Sequence, residues 1–362
     1  MKNLSIKINR NKISTILIGE NLINKLDQLI ELNNYSSIYI ITDSNVGKIY
    51  LKEVVNILKN SYKKNIFSFT FSAGEKNKNL KTVAEIYKDL VNKKIDRKAL
   101  IINLGGGVVT DLGGFVAVTF LRGIPSVNIS TSIEGMVDAS IGGKVGVNFN
   151  QYKNYIGSFH QPQTVIVDID TLKTLSQRNL IAGFGEIIKH GLIQNKTYFD
   201  FVVSKKPVDF SNEELISIIE TSCKIKANIV EKDETEKNLR QLLNFGHTAG
   251  HAIESLSLKT NNPLLHGEAV AIGIVIVSKI SELLKMISSN DFETIQKALK
   301  NTGLPTSIPS SISIPEILNM IKKDKKSDNK KVKWVLLKEI GKGIINCDVD
   351  ETIVQKALQY CY

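Results

Sequence analysis

Between residues 16 and 167 the chain alternates short β-branched runs with longer stretches of helical periodicity, and few folds accept that alternation. Strands separated by helices are joined by crossover connections, so they lie parallel and are covered on both faces. The runs at 16–18, 37–42, 66–71, 100–104, 127–129 and 164–167 read as such strands. Between the third and fourth, Leu80, Val83, Ala84, Ile86, Tyr87, Leu90 and Val91 recur at helical spacing. The first eight residues alternate polar and apolar side chains as a half-buried strand does. After Asp168 strand signals nearly stop, and helical patterns run through 180–192, 213–230, 249–256 and 268–284. The expected fold is an α/β N-terminal, Rossmann-like nucleotide-binding domain over 1–170, followed by a mostly α-helical C-terminal domain over 171–362. No Pro/Gly/Ser-rich linker marks the boundary.

Composition narrows the class of function. The 47 basic and 36 acidic side chains give a formal charge of +11, which suits a nucleic acid or an anionic small substrate. The lysines are scattered, with no arginine-rich arm and no paired Cys–His finger, so nucleic acid is not an expected partner. Cys223, Cys347 and Cys361 are too few and too far apart for a disulfide framework. The longest apolar run, 269–277, is far shorter than the roughly 20 residues that span a bilayer, and the N-terminus has no signal-peptide core. A cytoplasmic protein with no membrane partner is expected.

Three constellations carry chemistry. The strand at 100–104 runs straight into Gly105-Gly106-Gly107-Val108-Val109-Thr110-Asp111. Such a turn lets backbone N–H groups approach a pyrophosphate at a helix N-terminus, although the last glycine of the usual dinucleotide fingerprint is missing. The segment 135–148 places Gly142, Gly143 and Gly146 beside Asp138 and Lys144, a second loop fit for an anion. Then three of the five histidines, His247, His251 and His266, fall within twenty residues, beside glycines or small residues. Histidines offer neutral nitrogen to zinc, and on a helix His247 and His251 share a face, so spacing alone pairs those two as ligands. Glu186, in a stretch that reads as buried, is the candidate carboxylate, with Lys189 one turn on. Arg122, Lys226 and Arg240 are cations suited to a phosphorylated or carboxylated substrate.

The order and spacing of these blocks resemble 3-dehydroquinate synthase, a family of the sugar-phosphate cyclases, along almost the whole chain. The resemblance rests on Ser72–Lys78, Gly105–Leu112, Val137–Lys144, Lys153–Phe159, Gly185–Gly191, Leu243–Glu254, His266–Val270 and Asp324–Lys326. It implies that Glu186, His247 and His266 hold a zinc or cobalt ion, and it moves His251 from the ligands to the catalytic set. It implies an NAD site made by Asp43, Asn45, Glu75, Lys78, Gly106, Gly107, Asp111, Thr131, Ser132, Asp138, Lys144, Lys153 and Thr174. Substrate would meet Asp138, Lys144, Asn154, Lys189, Lys226, Arg240, Asn244, His251 and a lysine of the 325–326 pair, taken as Lys326. Arg122 would reach the substrate phosphate of a neighbouring subunit, which makes a homodimer the expected assembly.

The activity so implied turns 3-deoxy-D-arabino-heptulosonate 7-phosphate into 3-dehydroquinate and phosphate, in the shikimate pathway of aromatic amino acid biosynthesis. Transient oxidation by NAD, phosphate elimination, re-reduction and an intramolecular aldol step follow one another in that family. The sequence departs from the family pattern at Ser130-Thr131-Ser132-Ile133 and at Asn179, where a glutamate is common. Alternatives are another cyclase, such as a 2-deoxy-scyllo-inosose or epi-valiolone synthase, or a metal-dependent NAD alcohol dehydrogenase. Lys144, Arg240, Asn244 and the lysine pair favour a carboxylated substrate.

Overall fold

The structure, a computed structural model, describes residues 1–8, 12–150, 152–325 and 332–362. The chain forms two compact units, 1–175 with 215–231, and 176–214 with 232–362.

The first unit is built on β1 (Lys2–Ile8), β2 (Lys12–Gly19), β3 (Ile38–Asp43), β4 (Ile66–Phe71), β5 (Leu100–Gly105), β6 (Ser126–Ser130), β7 (Lys144–Phe149), β8 (Tyr152–Phe159) and β9 (Thr164–Asp168). Seven of these make one sheet in the order β1-β2-β9-β6-β5-β3-β4. Only the β1–β2 pair is antiparallel. Alternation along the central strands explains why they read as continuous apolar runs. Ile38, Ile40, Leu100, Ile102 and Leu104 enter one core with Val54 and Leu58 of the helix Lys52–Ser61. Tyr39, Ile41 and Ile101 enter another with Val83, Ile86 and Leu90 of the helix Leu80–Asn92 and with Val109 and Leu112 of the helix Gly107–Thr119. Both faces are therefore covered, and each fully buried side chain of this kind contributes about 1.5–3 kcal/mol.

The second unit is mainly helical. It contains the helices Gln177–Gln194, His247–Ser257, His266–Leu283, Ser289–Thr302, Ile314–Lys325 and Glu351–Tyr360, with a hairpin of β10 (Trp334–Glu339) and β11 (Lys342–Cys347). No helix among the described residues is long and apolar enough to cross a membrane.

The Rossmann-like α/β plus helical fold class is as expected, with three differences in detail. The β7–β8 hairpin occupies a stretch read as an anion loop, and β10–β11 interrupts the C-terminal helices. The expected cut at 170/171 differs from the compact units, because 215–231 of the helix Asn212–Lys232 groups with the first unit and carries Lys226 there.

Candidate active site

In the first unit several of the residues expected to hold NAD follow the ends of the parallel strands, while Lys144 and Lys153 lie on the β7–β8 hairpin. Asp43 closes β3 and caps the next turn, its carboxylate accepting from the N–H of Asn45 at 2.8 Å and of Val46 at 3.0 Å. Gly106 and Gly107 follow β5 and open the helix Gly107–Thr119, while Thr131 and Ser132 follow β6. β4 and β5 lie on opposite sides of β3, so the strand order reverses between β3 and β5, where doubly wound sheets bind nucleotides. Buried Lys78 pairs with Asp111; burial alone would lower its pKa, but the Asp111 and Glu75 carboxylates outweigh that and raise it. Glu75 also accepts from Asn148 at 2.9 Å and faces Lys153 at 3.7 Å. Asp138 pairs with Lys226. Lys144 and Asn154 are exposed on the hairpin, and Thr174 bonds Tyr50 at 2.6 Å.

In the second unit three helices bring Glu186, His247, His251 and His266 to one point. Their approach is governed by glycine. A Cβ on Gly267 would lie 1.8 Å from the Ala182 carbonyl oxygen, and one on Gly185 would lie 2.5 Å from that of Gly267. The start of the His266 helix thus rests backbone to backbone on the Glu186 helix. A Cβ on Gly273 would come within 1.9 Å of the Gly246 carbonyl oxygen, which fixes the His247 helix against the same neighbour. Arg178 ties the first of these contacts from outside, its guanidinium donating to both Glu268 oxygens at 2.7 Å and to Pro263 O at 2.9 Å. Glu268 in turn accepts from the Leu265 N–H at 2.8 Å.

The resulting donor set has zinc-like dimensions. His247 Nε2 and His266 Nε2 stand 3.5 and 3.4 Å from the same oxygen of Glu186. Donors about 2.1 Å from a tetrahedral zinc ion are spaced by about 3.4 Å. The side chain of Glu186 is fully buried, paired with the Lys189 ammonium and facing the two imidazoles. One carboxylate and two neutral nitrogens leave a coordination position open, the pattern of catalytic rather than structural zinc. The residues present fit a divalent ion. Ligand atoms of His247, His251 and His266 also lie within 4.8 Å of one another, so the pairing drawn from spacing is sterically open as well. His251 differs in being exposed, where His247 is buried.

Charge states follow from burial. His247 is held well below the ordinary imidazole pKa, first by burial and then by the Lys189 charge, so it stays neutral and available as a donor. Burial alone would raise Glu186, but Lys189 and the imidazoles outweigh it and hold the carboxylate well below its usual range. In metal-free protein the unfolded chain takes a proton at His247 below about pH 6.5 that the folded chain refuses. Stability therefore rises with pH below that point. The melting temperature of metal-stripped protein is expected to fall as pH drops from about 7.5 to about 5.5, and His247→Gln to flatten the dependence.

Other expected substrate residues are spread over both units. Arg240 is 2% exposed, its guanidinium bonded to Glu234 O and its N–H to Asp233 at 3.0 Å. Asn244 bonds Glu236 at 2.5 Å. Arg122 is exposed at a left-handed turn, φ 67°. Asn179 turns back on its own helix cap, donating to Ser176 Oγ at 2.7 Å. Lys326 lies outside the described residues. Sequence reasoning missed Glu254, which meets His266, and Arg178; both are ordinary charged helix positions until the partner helix is known.

Solved structures with this fold include 2-deoxy-scyllo-inosose synthase complexed with carbaglucose-6-phosphate, NAD+ and Co2+, with TM-score 0.91, 22% identity and full coverage of both chains. Another is 2-epi-5-epi-valiolone synthase from Streptomyces hygroscopicus subsp. jinggangensis with NAD+ and Zn2+ bound, with TM-score 0.87, 24% identity and coverage of 100% of this chain and 98% of that one. By fold, then, this chain shares the architecture of these two synthases. Sequence shows the family. The model of the 3-dehydroquinate synthase N-terminal domain matches 68–182 and that of the C-terminal domain 183–327. The 3-dehydroquinate synthase of Pelagibacter ubique is 38% identical over 98% of each chain. The chain belongs to the 3-dehydroquinate synthase family.

Proposed function

We propose that this chain converts 3-deoxy-D-arabino-heptulosonate 7-phosphate to 3-dehydroquinate and inorganic phosphate, with NAD and one divalent ion as resident cofactors. The observation that carries the reading is the convergence of Glu186, His247 and His266, in a chain whose curated relatives of 38–42% identity are named for that reaction. When bound, the ion supplies Lewis-acid polarisation of a substrate hydroxyl, and NAD supplies a hydride acceptor that ends the cycle unchanged. Glu186 and the Nε2 atoms of His247 and His266 would hold the ion. Asp43, Asn45, Glu75, Lys78, Gly106, Gly107, Asp111, Thr131, Ser132, Asp138, Lys144, Lys153 and Thr174 would hold NAD. Gly106 and Gly107 offer backbone N–H groups at a helix N-terminus to the pyrophosphate.

The remaining residues bind and orient. Buried Lys189, paired with Glu186, and exposed His251 flank the ion-binding cluster, and His251 would move a proton. Lys144, Asn154, Lys226, Arg240, Asn244 and Lys326 grip carboxylate, hydroxyls and phosphate. Exposed Arg122 reaches a neighbouring copy, and exposed Phe149, Tyr155 and Phe159 give a homodimer an apolar surface to cover. A cytoplasmic setting, where the phosphorylated sugar acid is made, fits this reading.

Phosphate release tests it. Metal-loaded protein with the heptulosonate phosphate and substoichiometric NAD is expected to release one phosphate per substrate with no net NADH. Stoichiometric NADH without phosphate points instead to an alcohol dehydrogenase, and turnover of glucose 6-phosphate alone to the inosose branch.

A further inference from the structure

We propose that Glu254 is a positioning residue that fixes the tautomer and ring orientation of His266. The proposal rests on the reading that His266 donates its Nε2 to a divalent ion. His266 is the first residue of its helix, as His247 is of its own, and its side chain is 17% exposed. Glu254 comes from a different helix, two turns after His247, and is 5% exposed. Its Oε2 lies 3.1 Å from His266 Nδ1, while Nε2 of the same ring lies 3.4 Å from Glu186. Both ring nitrogens face carboxylates, which only accept, and Glu254 is the nearer; with the Nε2 lone pair given to an ion, Nδ1 would carry the hydrogen toward Glu254.

His247 is arranged in parallel. Its Nδ1 faces the Phe245 carbonyl oxygen at 3.2 Å, another group that only accepts, and its Nε2 faces the same Glu186 oxygen. The two rings thus present matching tautomers by different means. A main-chain carbonyl serves one ring, and a side chain from the neighbouring helix serves the other. A charged acceptor also raises the basicity of the ring it holds, which the carbonyl does less.

The test is zinc affinity by chelator competition on wild type, Glu254→Gln and Glu254→Leu, with 15N spectra of the histidine rings in metal-free protein. Wild type is expected to show His266 with hydrogen on Nδ1. Leucine, which cannot accept, is expected to bind zinc about 10–100-fold more weakly and to lose the tautomer preference. Glutamine, whose amide oxygen still accepts, is expected to stay within about threefold of wild type and keep it. Equal zinc affinity in wild type and the leucine variant overturns the proposal, and so does an equal loss in both variants. Should the leucine variant fail to fold, the wild-type spectrum decides: a bare Nδ1 on His266 overturns it. Wild-type protein that takes up no zinc overturns the site reading itself, and is told apart because the ring spectra are recorded without metal.

Discussion

Replacing His266 by alanine is expected to strip the protein of zinc and of measurable activity while leaving it folded. His266 begins its helix rather than filling its interior, and its side chain is partly exposed, so truncation removes little packing. What it removes is one of the two imidazoles that face the buried Glu186 carboxylate. Loss of a residue that only orients a ligand typically costs 10–100-fold in metal affinity, and loss of a ligand should exceed about 100-fold. The metal-free variant should melt within roughly 3 °C of metal-free wild type, since substitutions outside packed cores cost little. Metal content after dialysis, and phosphate release at saturating zinc, read both effects. A zinc-replete, active variant removes His266 from the ligand set.

Gly267→Ala should do comparable damage by a different route. The added methyl would have to lie where the Ala182 carbonyl oxygen is, at 1.8 Å, and a backbone oxygen inside a helix cannot turn aside as a flexible side chain can. The two helices must separate, at a cost of about 3 kcal/mol or more. For a chain of this size that lowers the melting temperature by on the order of 5–10 °C. Because Gly267 follows His266 directly, and Ala182 lies one turn before Glu186, the separation also opens the carboxylate–imidazole spacing. Metal-free wild type and variant, compared by calorimetry and zinc titration, should differ in both stability and affinity. An unchanged melting temperature contradicts the close backbone contact.

Much of this was legible in the residues, for physical reasons that differ between the units. β3 and β5 are buried on both faces, so they are rich in Ile and Leu with little alternation, and the glycines after β5 mark the phosphate turn. The helices carrying Glu186 and His266 announce themselves by length. The β7–β8 hairpin stayed hidden because Gly142, Gly143 and Gly146 read as loop, and because β8 is largely exposed and lacks an apolar stripe. The segment 215–231 has an apolar face, but periodicity says only that a face is buried, not against which unit. Spacing along one helix pairs His247 with His251. What sets Glu186 and His266 beside His247 is contact between helices, carried by glycines whose purpose no periodicity reveals. Glu254 escaped for the same reason, its partner being twelve residues away on another helix.

The proposed chemistry depends on one divalent ion shared by Glu186, His247 and His266, and anomalous diffraction at the zinc edge from zinc-loaded crystals tests that directly. The expected result is a single peak about 2.0–2.2 Å from a Glu186 oxygen and from Nε2 of both His247 and His266. A peak ligated by His247, His251 and His266, with Glu186 left to Lys189 alone, contradicts it.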